Sequence, residues 1–424
     1  MLQISFLRQH TEKAIAGLNK RHFPNAAQVI SEVLAIDDER RHTQAELDKA
    51  NARLNALSKE IGILIKAGKH QEAETAKAET LELKTTSKHL SDKLAALEEE
   101  LTRKLYTIPN IPHESVPDGR SAQDNEVVFQ HGSLPTLDSN ALPHWDLVKK
   151  YDIIDFELGN KITGAGFPVY KNKGAKLQRA LMNFFLDRAT QAGYVEIQPP
   201  SLVNEASGYG TGQLPDKDGQ MYYIAADGLY LIPTAEVPIT NLYRDMILRK
   251  EDLPIKNVGF TPCFRREAGS WGAHVRGLNR LHQFEKVEIV QIQTPDKSYE
   301  ALQEMCQYVK SLLIDLELPF RMVKLCGGDM GFTAALTYDF EVYAAAQQRW
   351  LEVSSVSNFE TFQATRLKLR YRDENNKTQL LHTLNGSALA FPRVVAALLE
   401  NHQTSQGIRL PKVLVPYTGF DVID

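Results

Sequence analysis

Arg265-Arg266-Glu267 and the later run Arg280-Leu281-His282-Gln283-Phe284-Glu285-Lys286-Val287-Glu288 form the densest group of reactive side chains in the sequence. Between them, a glycine-rich stretch runs from Ala268-Gly269-Ser270 to Arg276 and Gly277. The grammar is that of two strands joined by a long loop. Alternation along the second strand predicts Phe284, Lys286 and Glu288 on one face, with Gln283 and Glu285 on the other. An aromatic, a cation and a carboxylate on one strand face make an odd core but a reasonable ligand wall. Arginines at fixed positions neutralise phosphate through paired hydrogen bonds, so the chemistry open to this span is recognition of a phosphorylated ligand. The usual nucleotide signatures are absent: there is no GxxxxGK[ST] loop, and no GxGxxG between a strand and a helix. Gly208, Gly210 and Gly212 alternate in a Thr/Gln/Pro-rich stretch that reads as a surface loop more readily than as a phosphate cradle.

Such side chains need a scaffold, and proline placement divides the chain that supplies it. No proline occurs between Pro24 and Pro109, and glycine there is confined to Gly62 and Gly68. Leu47, Ala50, Leu54, Leu57, Ile61 and Leu64 step by 3, 4, 3, 4 and 3, and Leu83, Leu90, Leu94, Leu97 and Leu101 continue the heptad pattern. The spacing predicts an antiparallel helical hairpin with its tip at residues 66–70 and a reach of about 60 Å per helix. Its charges are mixed: Lys49, Arg53, Lys59, Lys66, Lys69 and Lys77 alternate with Glu46, Asp48, Glu60, Glu72 and Glu74. Dimerisation, a spacer role and RNA binding are all compatible with that pattern. Five prolines from Pro109 to Pro143 mark a linker. Beyond it, Leu181 to Ala192 reads as a helix, Val195-Glu196-Ile197 and Val287 to Val290 as strands, and Val394 to Asn401 as an amphipathic helix. Strands and helices do not alternate regularly, so the expected class is α+β with an antiparallel or mixed sheet.

Composition narrows the function classes. The 424 residues predict two or three domains, and 43% hydrophobic with 24% charged residues is ordinary for a globular protein. Net charge is 49 − 53 = −4, which argues against a non-specific polycation but leaves room for a local basic surface. No apolar stretch reaches the roughly 18 residues of a membrane span. Cys263, Cys306 and Cys326 are scattered, without zinc-knuckle spacing, and read as buried small hydrophobes. Arg8, Glu12 and Lys13 interrupt the start before any long apolar run, unlike a secretory signal, so a cytoplasmic location is expected.

The span around Arg265 resembles motif 2 of the class II aminoacyl-tRNA synthetases, and the chain as a whole resembles the seryl-tRNA synthetase family. The match covers MLQISFLRQHTE, LNALSKEIG, IPNIPHESVPDG, PHWDL, YVEIQPPSLV, GTGQLP, LIPTAEVPITN, CFRREAGSWG, HQFEKVE, EVSSVSNFETFQATR and HTLNGSALAFPR, in that order. The resemblance implies a tRNA-binding arm domain at 1–108, an entry segment at 109–143 and an antiparallel-sheet catalytic domain at 144–424. Its motifs would lie at about 177–200, 260–290 and 383–401. It further implies a homodimer joined through the first motif, and activation of serine with ATP before transfer to the terminal ribose of tRNA(Ser), with tRNA(Sec) as a further candidate. No DNA or membrane partner is implied.

Residue roles carry over from the same motifs. Arg265 would hold the α-phosphate and the serine carboxylate, beside Arg266. Glu267 would accept from the adenine amino group, Phe284 would stack on adenine, and Arg280 and Arg393 would clamp the outer phosphates. Glu352, Val353, Ser354 and Ser355 would complete the ATP site, with Glu352 and Ser355 as Mg2+ ligands; no zinc is implied. Thr234, Ala235, Glu236, Glu288, Asn385 and Ser387 would recognise serine. The sequence departs from the family pattern at Ala388, where glycine is common, at Phe391-Pro392 before Arg393, and at Ala273-His274-Val275. Two rivals stand beside this expectation: a related ligase for another amino acid or a carrier protein, and a catalytically inactive RNA-binding coiled-coil protein. Retention of Arg265, Glu267, Glu288, Glu352 and Arg393 together weighs against the second.

Overall fold

The structure, a computed structural model, describes residues 1–216, 218–267 and 275–424. The chain forms two compact units, one of residues 2–19 and 23–109, the other of residues 1, 20–22 and 110–424.

In the first unit, α1 (Ala26–Lys66) and α2 (His70–Leu105) run back along each other as a hairpin. Leu47, Ala50, Leu57, Leu97 and Leu101 of the heptad seam are buried, together with Ala73 and Ala76 of α2. Leu54, Ile61, Leu64, Leu83, Leu90 and Leu94 are half-buried, as two helices alone can cover only one stripe of each other. Arg53 locks the register with a two-pronged contact to Glu79 at 2.7 and 2.8 Å. The turn passes through Gly68 at φ +74°, a left-handed conformation that glycine adopts without steric cost.

The second unit is built on an eight-stranded sheet. Its strands are β1 (Glu126–His131), β2 (Val195–Glu196), β3 (Ile255–Phe264), β4 (Gln283–Gln293), β5 (Phe320–Lys324), β6 (Leu336–Ala344), β7 (Arg349–Asn358) and β8 (His382–Ala390). The order across the sheet is β1-β5-β6-β7-β8-β4-β3-β2. Every neighbouring pair is antiparallel except β2 with β3. Supporting helices are α3 (His144–Lys150), α4 (Asn172–Gln191), α5 (Glu205–Thr211), α6 (Glu236–Asn241), α7 (Ser298–Asp315) and α8 (Phe391–Asn401). One continuous core holds Phe184 and Phe185 of α4, Val287 and Ile289 of β4, Leu302 of α7, Phe340 of β6 and Phe391 of α8. None of the described helices is long and apolar enough to cross a membrane.

Three local readings change. The proline-rich segment contributes β1, whose six residues are all exposed and which pairs with β5 at the sheet edge. Without a buried face, that strand shows no hydrophobic alternation. The helix expected to be amphipathic starts at Phe391 and is buried at every residue to Glu400 except Arg393, because sheet strands and α3 enclose it. The three alternating glycines are neither loop nor cradle. Gly208 and Gly210 lie inside α5, where an added Cβ would fall 2.7 Å from Leu214 and 2.6 Å from Asn241, and Gly212 caps the helix at φ +92°.

Candidate active site

β3 and β4 pair directly, so Arg265 and Glu267 at the end of one strand come to face the alternating side chains of the other. Phe284, Lys286 and Glu288 of β4 line one cavity of about 250 Å³, while Glu285 faces a different one with Tyr170 and Gln178. The expected alternation holds. Four other elements converge on the same cavity. Thr234 and Glu236 enter at the start of α6, Glu352 to Ser355 come from β7, and Asn385 and Ser387 come from β8. Arg393 reaches in from the first turn of α8, where Pro392 starts the helix without removing a needed N–H.

One end of the cavity is acidic and buried. Lys286 Nζ donates to Thr234 Oγ1 at 2.9 Å and to Ser387 Oγ at 3.1 Å, and is ion-paired with Glu288. Ser387 Oγ donates in turn to Glu288 Oε2 at 3.2 Å. Glu236 Oε1 accepts from Gln363 Nε2 at 2.6 Å, and Gln363 is fixed by Thr383 Oγ1 at 2.6 Å. Burial, and then the charge of Glu288, push the Glu236 carboxyl up to about 7. Two carboxylates against one ammonium make this end a receptor for a second small cation.

The other end is rich in guanidinium. Arg265 lies 5.2 Å over the Phe284 ring, and Arg280 is ion-paired with Glu267. Arg393 Nε donates to Asn279 O and Nη1 to Glu352 O, both at 2.9 Å, and its charge stands 3.8 Å from Glu352 Oε2. Glu352 is about half exposed, with its side chain 48% accessible. Across the β6–β7 ladder, Asp339 faces Ser355, and its Oδ1 is buried without a partner among the described residues. Burial, then Glu352, hold the Asp339 carboxyl well above the usual range. Among the described residues no group of three or more His, Cys, Asp or Glu side chains is placed to hold a metal alone. The hard oxygens of Glu352 and Ser355 suit Mg2+ that arrives with phosphate oxygens and water completing its shell.

Two expected contacts fall elsewhere. The Ala235 side chain packs with Ile239 and Val290 and has no polar group to offer. Arg266 leaves the cavity wall because its main chain turns to pair with Gln220 O at 2.8 Å, and it lines the neighbouring cleft with Trp145 and Arg276. Two further residues are occupied: Val353 sits in the core, and Ser354 Oγ donates to Ser387 O at 2.6 Å. Ala273 and His274 lie outside the described residues. Sequence reasoning assigned no role to Gln363 or Asn279, both of which the fold places at the site. Asn279 stands beside Arg280, but its partners Gln347 and Arg393, like Glu236 for Gln363, lie far along the chain.

Residues 1–112 match the seryl-tRNA synthetase N-terminal domain, and residues 223–402 match the tRNA synthetase class II core domain (G, H, P, S and T). The serine–tRNA ligase of Salinibacter ruber is 50% identical over 422 residues, covering 99% of this chain and 98% of that protein. Its counterpart from Prosthecochloris aestuarii is 46% identical, covering 100% and 99%. Among solved structures, seryl-tRNA synthetase from Pyrococcus horikoshii complexed with ATP is similar with a TM-score of 0.93 and 33% identity, over 100% of this chain and 99% of that one. The cytoplasmic serine-tRNA ligase of Naegleria fowleri in complex with AMP gives 0.88 and 26%, over 100% and 99%. Matched in both its N-terminal and core segments, and alike end to end at up to 50% identity, the chain belongs to the seryl-tRNA synthetase family.

Proposed function

We propose that the chain activates L-serine with ATP and transfers it to the 3′-terminal ribose of tRNA(Ser). The observation that carries this reading is the division of one cavity into a buried acidic end and a guanidinium end, with Arg265 lining it alongside both. The serine ammonium would take the place between Glu236 and Glu288. Its hydroxyl would exchange hydrogen bonds with the Thr234, Ser387 and Glu288 set, with Asn385 alongside. A ligand lacking that hydroxyl leaves buried polar groups unpaired, which rejects alanine by roughly 10⁴. Threonine is refused by lack of room.

At the other end, Glu267 and Arg280 would trade their ion pair for the adenine amino group and an outer phosphate, while Phe284 offers its ring to the base. Arg393 would hold the outer phosphates together with Arg280. Mg2+ held by Glu352 and Ser355 would supply charge neutralisation at the phosphates. Arg265 would bind the serine carboxylate and the α-phosphate at once, setting the attacking oxygen in line with the departing pyrophosphate and stabilising charge as it builds on the phosphoryl oxygens. No protein base is needed, since the carboxylate attacks already ionised and pyrophosphate leaves as an anion.

The helical hairpin would grip the tRNA outside the active site, by shape and backbone charge. A second copy of the chain would cover the edge formed by α4 and β2, where Val195 is 61% exposed. Aminoacylation with labelled serine and tRNA(Ser) tests the whole reading: acid-precipitable counts dependent on ATP support it, and their absence with folded protein opposes it. The inactive alternative finds no footing, because Arg265, Glu267, Glu288, Glu352 and Arg393 all line the one cavity.

A further inference from the structure

α8 carries Arg393 in its first turn and Glu400 in its last, and the two ends of this helix are tied to the same stretch of chain. Glu400 and His144 are both fully buried, with side-chain exposure of 0%. Glu400 Oε1 accepts from His144 N at 3.0 Å, His144 Nδ1 at 2.8 Å and Gln347 Nε2 at 2.8 Å. Its Oε2 accepts from the main-chain N–H groups of Ala346 and Gln347, each at 3.1 Å. Five donors therefore saturate one carboxylate far from water.

The carboxylate dictates the polarity of everything attached to it. Because His144 Nε2 accepts from Leu278 N at 2.9 Å, the ring proton sits on Nδ1, toward Glu400. Because Gln347 gives its N–H to Glu400, its Oε1 is turned to accept from Asn279 Nδ2 at 2.8 Å. That leaves Asn279 Oδ1 buried without a partner among the described residues, on a residue that lines the cavity. The Asn279 carbonyl receives Arg393 Nε at 2.9 Å. The approach is close enough to demand glycine next door: a Cβ at Gly277 would stand 2.3 Å from His144 Nε2, at φ +68°.

A buried carboxylate at a helix C-terminal turn, with no Lys or Arg against it among the described residues, costs desolvation and runs against the helix dipole. A plain core would have done without it. We propose that Glu400 and His144 are positioning residues for the nucleotide end of the site. Through Leu278 and Asn279 they hold the strand-entry segment that carries Arg280, and through the Asn279 carbonyl they aim Arg393. The inference rests on the reading that this end of the cavity takes ATP.

The test is serine-dependent pyrophosphate–ATP exchange on the full chain with two substitutions that separate the ends of the imidazole. His144→Asn keeps a donor where Nδ1 meets Glu400 but lacks an acceptor for Leu278. His144→Gln restores an acceptor at the reach of Nε2. Expected is a rise in KM for ATP of roughly tenfold or more in His144→Asn, with KM for serine within about twofold of the unmodified chain, and recovery of most of the loss in His144→Gln. A folded His144→Asn with unchanged KM for ATP would overturn the inference, as would equal rises for serine and ATP. Should His144→Asn not fold, Gln347→Met, which cuts the link to Asn279 at a partly exposed site, must raise KM for ATP alone or the inference falls. Failure of the unmodified chain to exchange with any amino acid would instead overturn the parent reading, and this one with it.

Discussion

Glu236 shows how burial is turned into selectivity. Its carboxyl is raised to about 7 by desolvation and by Glu288, so in the free protein it is largely neutral below that pH. The neutral form contributes stability in full below the unfolded value near 4.5, and that contribution is lost as pH rises through about 7. Serine inverts the preference, because an ammonium needs the ionised partner. KM for serine is therefore expected to rise by up to about tenfold for each pH unit below 7, while KM for ATP stays flat over the same range. Steady-state exchange kinetics from pH 5.5 to 8.5 check this, and a flat serine profile would remove Glu236 from the ammonium site. Arg265→Lys keeps the charge but not the fork. Its exchange rate should fall by about 10²–10³-fold with little change in thermal stability, the scale seen when one donor to a developing oxyanion is lost. A loss of less than about threefold would show that charge alone suffices there.

At the scale of elements, what the sequence made legible followed from periodicity and from clustered charge. The hairpin was readable because Leu47, Ala50, Leu57, Leu97 and Leu101 keep one heptad stripe that two helices must bury against each other. The strand pair around Arg265 was readable because β4 alternates Phe284, Lys286 and Glu288 against Glu285. What remained hidden had no such signal. β1 is exposed on both faces, and α8 is enclosed on nearly all sides, so neither shows a period that betrays its setting. The Gly208-Gly210-Gly212 run was misleading, since its composition suits a loop while its role is close packing of α5. The hydrogen bonds from Gln363 to Glu236 and from Ala346 and Gln347 to Glu400 join residues more than 50 positions apart, which no local pattern encodes. Gly212→Ala tests the packing account. A Cβ there would lie 2.3 Å from Thr333 Cγ2 at φ +92°, and a loss of about 1–3 kcal/mol in chemical denaturation is expected. An unchanged midpoint would contradict it.

On the proposed function, chemistry belongs to the sheet unit and RNA grip to the hairpin. Several arm cations are already paired, Arg53 with Glu79, Lys69 with Glu72 and Lys77 with Glu74. Lys49, Lys59 and Lys66 are exposed on α1 and are better placed to meet phosphates. Replacing all three by Glu should leave pyrophosphate exchange unchanged, weaken tRNA(Ser) binding, and lower the slope of log affinity against log salt by roughly two. A normal salt slope would move the RNA contact off this face. Adenylate formation from serine in this cavity is read without any later step by exchange of labelled pyrophosphate into ATP by the purified chain, without tRNA, across all twenty amino acids. Exchange is expected with serine and with no other amino acid. Exchange with a different amino acid, or with none, would contradict it.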